Sequence, residues 1–154
     1  MPRISSDQRV HTAEFKALLN QTIANGEAND CSIKAVAIVC GVTYEQAKAA
    51  LAAAGRKDRK GAYTHQIHAA VAALGKKVER ANIQDIIAQY PKGHRDVLKN
   101  ITTHHPARFN KVWSNGKSYL AYNGSHVTAI VDGTNHDWTV GCARRIYALY
   151  EVVG

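Results

Sequence analysis

The chain has 154 residues, 45% of them apolar, which excludes a disordered chain and is enough for one ordinary folded domain with a core of its own. Its formal charge is +8, which allows nucleic acid, an acidic protein or an acidic surface as a partner. The cysteines are Cys31, Cys40 and Cys142; three scattered thiols exclude a dense disulfide framework and predict a reducing compartment. No apolar run approaches a membrane span, and no apolar signal region follows Met1-Pro2-Arg3. The expectation is a cytoplasmic protein with no membrane partner.

Residues 1–10 are polar and read as a loosely held N-terminus. Thr12 can cap a first helix in which Phe15, Leu18, Leu19 and Ile23 recur at helical spacing, and Asn25-Gly26 ends it. A polar loop then runs into Asp30-Cys31, with Asp30 as N-cap and Gly41 as the residue after the helix. Between them only Ser32 and Lys34 are clearly polar, so this helix is expected to be buried around most of its circumference. A thiol in its first turn lies at the positive end of the helix dipole, which favours the thiolate. Cys40, at the far end, reads as a core residue.

Thr43-x-x-Gln46 is a capping-box pattern and opens a third helix over 44–54, closed by Gly55. The basic run 56–61 reads as a solvated loop. Thr64 is expected to cap a fourth helix through Leu74, with Lys76–Arg80 as a short edge segment. Asn82 would cap a short fifth helix over Ile83–Tyr90, stopped by Pro91. From Lys117 the apolar period changes from 3.6 to 2. Strands are expected over 118–122, 126–131, 134–140 and 144–152, with Asp132-Gly133 as a two-residue hairpin turn. Helices first and an antiparallel sheet afterwards is an α+β arrangement.

The hairpin sets a register. A two-residue turn pairs 131 with 134, 128 with 137 and 126 with 139. His126, Thr128, Asn135, Asp137 and Thr139 then share one face, polar enough to line a cleft. Val127, Ala129, Val131, His136 and Trp138 share the other, facing the core. His126 and Asp137 become diagonal neighbours within hydrogen-bonding reach. A cysteine nucleophile requires a base, a group that orients the base, and donors for the oxyanion. Cys31, His126 and Asp137 are the candidates for the first three roles. The Cys31 backbone N–H and the side-chain amide of Asn25 or Asn29 are candidates for the last.

The order helix-borne Cys, strand-borne His, then Asp resembles the papain-like cysteine peptidases. The segment Asn25-x-x-x-x-Asp30-Cys31 is similar to the peptidase domains of bacteriocin exporters, with Asn where those carry Gln. Gly124-Ser-His126 through Asp137-Trp138 resembles the same family's later block, and small phage-encoded relatives share the layout. The resemblance covers residues 25–75 and 117–152. It implies one papain-like domain over 1–154, in which a central buried helix starting at the Cys packs on a C-terminal antiparallel sheet. It also implies a peptidase or amidase acting on a peptide or protein substrate. Cys31 would be nucleophile, His126 base and then acid, Asp137 the orienting residue, and Asn25 the oxyanion donor with Asn29 in reserve. An acyltransferase would use the same triad. In a phage-encoded protein the site of action would be the host cytoplasm.

Two other readings fit the composition. One is a non-catalytic module on the same scaffold that binds a host protein, acidic by charge complementarity. The other is a basic nucleic-acid-binding protein. Eight histidines raise the question of a metal, but there is no Cys-x-x-Cys and no His-Glu-x-x-His, so neither a metal nor any other cofactor is expected.

Overall fold

The computed structural model describes residues 13–82, 116–123, 126–132, 134–136 and 147–154. Four helices come first: α1 (Ala13–Ala24), α2 (Cys31–Cys40), α3 (Tyr44–Ala53) and α4 (Thr64–Ala73). The strands are β1 (Lys77–Ala81), β2 (Ser118–Asn123), β3 (His126–Val131), β4 (Thr134–His136) and β5 (Ala148–Val153). They form one antiparallel sheet in the order β1-β5-β2-β3-β4. The arrangement is α+β, as the change of apolar period predicts. The expected fifth helix, Cys142, Trp138 and Asp137 lie outside the described residues.

α2 is the buried helix. Ile33, Ala35, Val36, Ala37 and Val39 are all buried, and so are its two polar residues, Ser32 and Lys34. Its C-terminus closes as expected: Gly41 takes φ 65°, its N–H reaches the Ile38 carbonyl, and the Val42 N–H reaches the Ala37 carbonyl. A left-handed glycine followed by this pair of bonds is the stop that frees the chain to turn into α3. The α3 capping box is present, with the Gln46 N–H on Thr43 Oγ1 and the Thr43 N–H on Gln46 Oε1. Thr64 differs from expectation. It is the first helical residue of α4, and Tyr63 occupies the cap position because Gln66 Oε1 reaches back to the Tyr63 N–H at 2.9 Å.

The core lies between the helices and one face of the sheet. Ile33, Val36, Leu51, Ile67 and Val71 meet Leu120, Tyr122, Val127, Ala129 and Val152. Ala148 and Tyr150 pack against the same cluster, on the face of β5 that carries Val152. The β3–β4 hairpin pairs Val131 with Thr134, Ile130 with Asn135 and Ala129 with His136, the register derived from a two-residue turn. Asp132 adopts φ 46°, as such a turn requires of its first residue, and its carboxylate accepts the Gly116 N–H at 2.8 Å.

Three expectations are corrected. The face of the sheet carrying His126 and Thr128 is not an open polar wall, because Tyr119, Ala121, Thr128, Ile130 and Leu149 on it are all buried. The alternation of a single hairpin cannot show whether its second face is also covered. In α1, Phe15 is buried and Leu18 packs against the core, but Ile23 is 81% exposed, so the apolar stripe does not dock along its whole length. The basic loop after α3 is not wholly solvated, because Arg56 is buried. Among the described residues β1 is an edge strand, paired only with β5.

Candidate active site

The loop between α1 and α2 is held by two buried carboxylates. Glu27 receives the Arg56 guanidinium at 2.9 Å, the Lys48 ammonium at 3.1 Å and the Arg59 backbone N–H at 2.9 Å. Its side chain is 1% exposed, and the Arg56 hydrogen bond above all holds its pKa down at about 2. Asp30 stands at the cap position of α2, yet its side chain makes no capping bond. The carboxylate turns inward instead. It accepts the Thr22 hydroxyl at 2.5 Å and the Tyr44 hydroxyl at 2.7 Å, and it pairs with the Lys34 ammonium at 3.1 Å. Burial alone would raise the Asp30 pKa. The Thr22 and Tyr44 hydrogen bonds and the Lys34 charge outweigh that and hold it below the usual carboxylate range. The Lys34 ammonium also lies 5.3 Å from the centre of the Phe15 ring.

Asp30 therefore anchors the first turn of α2 without covering it. The helical ladder begins with the Lys34 N–H on the Asp30 carbonyl, so the N–H groups of Cys31, Ser32 and Ile33 lie outside it. That helix end opens on a cleft of about 750 Å³. Cys31 and Ser32 of α2 line it on one side, and Tyr122, His126 and Val127 of the sheet on another. The loop from Gly55 to Tyr63 and the start of α4 supply the rest. Gly55 makes this path possible, because its φ of 112° reverses the chain after α3 and a Cβ there would meet Gln66 Nε2 at 3.0 Å.

Cys31 is partly exposed, whereas His126 is 9% exposed at the first position of β3. The structure thus brings Cys31 and His126 to one cleft, from the helical layer and the sheet. Asp137 lies outside the described residues. The two amides proposed for the oxyanion are used elsewhere, and neither lines the cleft. Asn25 directly follows α1, and both its Nδ2 and its backbone N–H donate to the Gln21 carbonyl in the last turn of that helix, each at 2.9 Å. Asn29, at φ 52°, is exposed and donates from Nδ2 to the Arg59 carbonyl at 3.2 Å. Both amides secure the loop rather than the cleft.

Tyr122 also borders the site. The Tyr122 hydroxyl is 3.1 Å from His68 Nε2, and His68 packs edge-on against Tyr150. Burial lowers the His68 pKa, disfavouring the charged ring, and burial raises that of the Tyr122 hydroxyl. His65 does not join His68. It stacks on the exposed Tyr63 ring at 5.8 Å. Among the described residues no group of three or more His, Cys, Asp or Glu is placed to hold a metal ion, and no helix is long and apolar enough to cross a membrane.

The two described thiols differ in setting. Cys40 packs against the core and burial raises its pKa, whereas Cys31 faces the cleft. Brief treatment with limiting iodoacetamide followed by peptide mass mapping is expected to label Cys31 at least about tenfold ahead of Cys40. Equal labelling would show that the cleft gives Cys31 no advantage. No family model, curated protein or solved structure matches the chain.

Proposed function

We propose that the protein is a thiol hydrolase of papain-like type, a peptidase or amidase. The observation that carries this reading is that Cys31, on the first turn of α2, and His126, at the first position of β3, line one cleft. In the proposed reaction His126 takes the Cys31 proton and the sulfur attacks the substrate carbonyl carbon. The resulting oxyanion is stabilised by the Cys31 backbone N–H and the positive end of α2. His126 then returns the proton to the leaving nitrogen as the C–N bond breaks, and a thioester remains on Cys31. Water, deprotonated by His126, attacks the thioester, releasing the acid and restoring the thiol. Asp137 is proposed as the residue that orients His126, from the hairpin register and the family resemblance. A bound amine in place of water would make the same site an acyltransferase.

The test is the pH dependence of Cys31 alkylation by iodoacetamide. Near neutral pH, wild-type Cys31 is expected to react at least about tenfold faster than glutathione. The His126→Ala variant is expected to lose most of that advantage, its rate rising with pH like that of an ordinary thiol. A wild-type rate no faster than glutathione, unchanged in His126→Ala, would refute the proposal.

A further inference from the structure

The charged residues described in the cleft wall have one sign. Arg56, Lys57 and Lys60 line it, and among the described residues its lining contains no carboxylate. Arg56 is offset by Glu27, but Glu27 also faces Lys48, so the buried cluster behind the wall keeps a net positive charge. Lys57 and Lys60 are exposed, and among the described residues neither ammonium has an ion-pair partner. The α2 N-terminus adds its own positive potential, since Asp30 turns away from it. Two buried donors there have no acceptor: the Oγ of Ser32, a residue 1% exposed in the cleft wall, and Nε of Arg56. Buried polar groups are nearly always satisfied in folded proteins; the Arg56 Nε–H requires an acceptor, and the Ser32 hydroxyl can donate to one.

We infer that the cleft selects acyl substrates carrying a carboxylate beside the carbonyl under attack: peptides with Asp or Glu next to the scissile bond. The inference rests on the thiol-hydrolase reading and adds the substrate class to it. Lys57 and Lys60 are the specificity-determining residues. They sit on one short loop that begins at Gly55, and they can close on a carboxylate without rearranging the buried Glu27–Arg56 pair. Ser32 and the α2 N–H groups place the same negative charge close to Cys31, so the binding subsite and the nucleophile share one electrostatic field. An apolar or cationic group at that position would leave both lysines and the Arg56 Nε–H unanswered.

The test compares two alkylating probes on the whole protein, iodoacetate, which delivers a carboxylate, and iodoacetamide, its neutral counterpart. The ratio of their rates at Cys31 is divided by the same ratio for glutathione. The expected normalised ratio is at least about fivefold in favour of iodoacetate. It is expected to fall toward one in Lys57→Ala/Lys60→Ala and at high salt, while Lys16→Ala/Lys77→Ala, which removes the same formal charge elsewhere, keeps it. A normalised ratio near one, with iodoacetamide still reacting fast, overturns the acidic preference and leaves the nucleophile standing. Slow reaction with both probes overturns the hydrolase reading itself. Protection of Cys31 by an oligonucleotide, with none from a Glu-containing peptide, overturns the peptide substrate in favour of nucleic acid.

Discussion

Replacing Glu27 by alanine is expected to lower stability by about 3–5 kcal/mol at neutral pH, the largest effect of any single substitution in the loops around the cleft. Glu27 and Arg56 are each 1% exposed at the side chain, so the variant leaves a guanidinium buried without its carboxylate. Lys48 is the internal control. It touches the same carboxylate but is 23% exposed, and Lys48→Ala is expected to cost under about 1 kcal/mol. Urea unfolding of the three proteins measures both. The acid dependence follows from the same pair. The Glu27 pKa falls from 4.5 to about 2 on folding, so the stabilisation is fully present above pH 4.5 and is lost as the pH falls from there toward 2. The stability difference between wild type and Glu27→Ala should narrow over that window. A constant difference would mean that Glu27 acts through packing and not through its charge. The cleft should register the loss as well, since Arg56, Lys57 and Lys60 are carried on the loop that Glu27 ties to the start of α2.

The second large effect is expected at Asp30. Asparagine caps helices as well as aspartate does, so a residue that served only as the α2 cap would tolerate Asp30→Asn with almost no change. The buried carboxylate predicts otherwise. Asparagine cannot balance Lys34, whose side chain is 8% exposed, and it is a weaker acceptor for the Thr22 and Tyr44 hydroxyls. Asp30→Asn is expected to destabilise the protein by about 2–4 kcal/mol, measured by urea unfolding at neutral pH. The contribution belongs to the ionised carboxylate. Because folding lowers the Asp30 pKa, it is present above the unfolded pKa and fades as pH falls below it. A change below about 0.5 kcal/mol would return Asp30 to the role of a simple cap.

These two carboxylates explain how the site is held. The loop before Cys31 is polar, yet α2 must begin at a fixed point against the sheet for Cys31 and His126 to line one cleft. Glu27 ties the loop to the segment after α3, and Asp30 ties it to α1 and α3. Neither carboxylate occupies the first turn of α2. Its positive end is therefore left to whatever enters the cleft, as an attacking thiolate, a developing oxyanion and an acidic substrate group would each require.

Local physics made much of this legible in the residues alone. The apolar run from Cys31 to Cys40, with Gly41 after it, specifies a buried helix and its end. Thr43 with Gln46 specifies the next helix start. Asp132-Gly133 specifies both the turn and the register that puts Val127 and Ala129 in the core and His126 on the other face. Each of these depends on residues within a few positions of one another, where periodicity and turn stereochemistry operate. Tertiary structure decided what long-range partners decide. Asp30 suits a cap by type, but Tyr44 and Thr22 offered its carboxylate two hydroxyls, and a buried charge goes to the strongest donors in reach. Arg56 looked solvated within its basic run, and Glu27, far away in the chain, drew it inside. Asn25 and Asn29 carried the right amide for an oxyanion, but nearer carbonyls took both. Two features of Cys31 were legible in its own neighbourhood: its place at the start of a buried helix, and the dipole it meets there. That His126 lines the same cleft, and that the cleft wall beside them is basic, came only from the packing of the helices on the sheet.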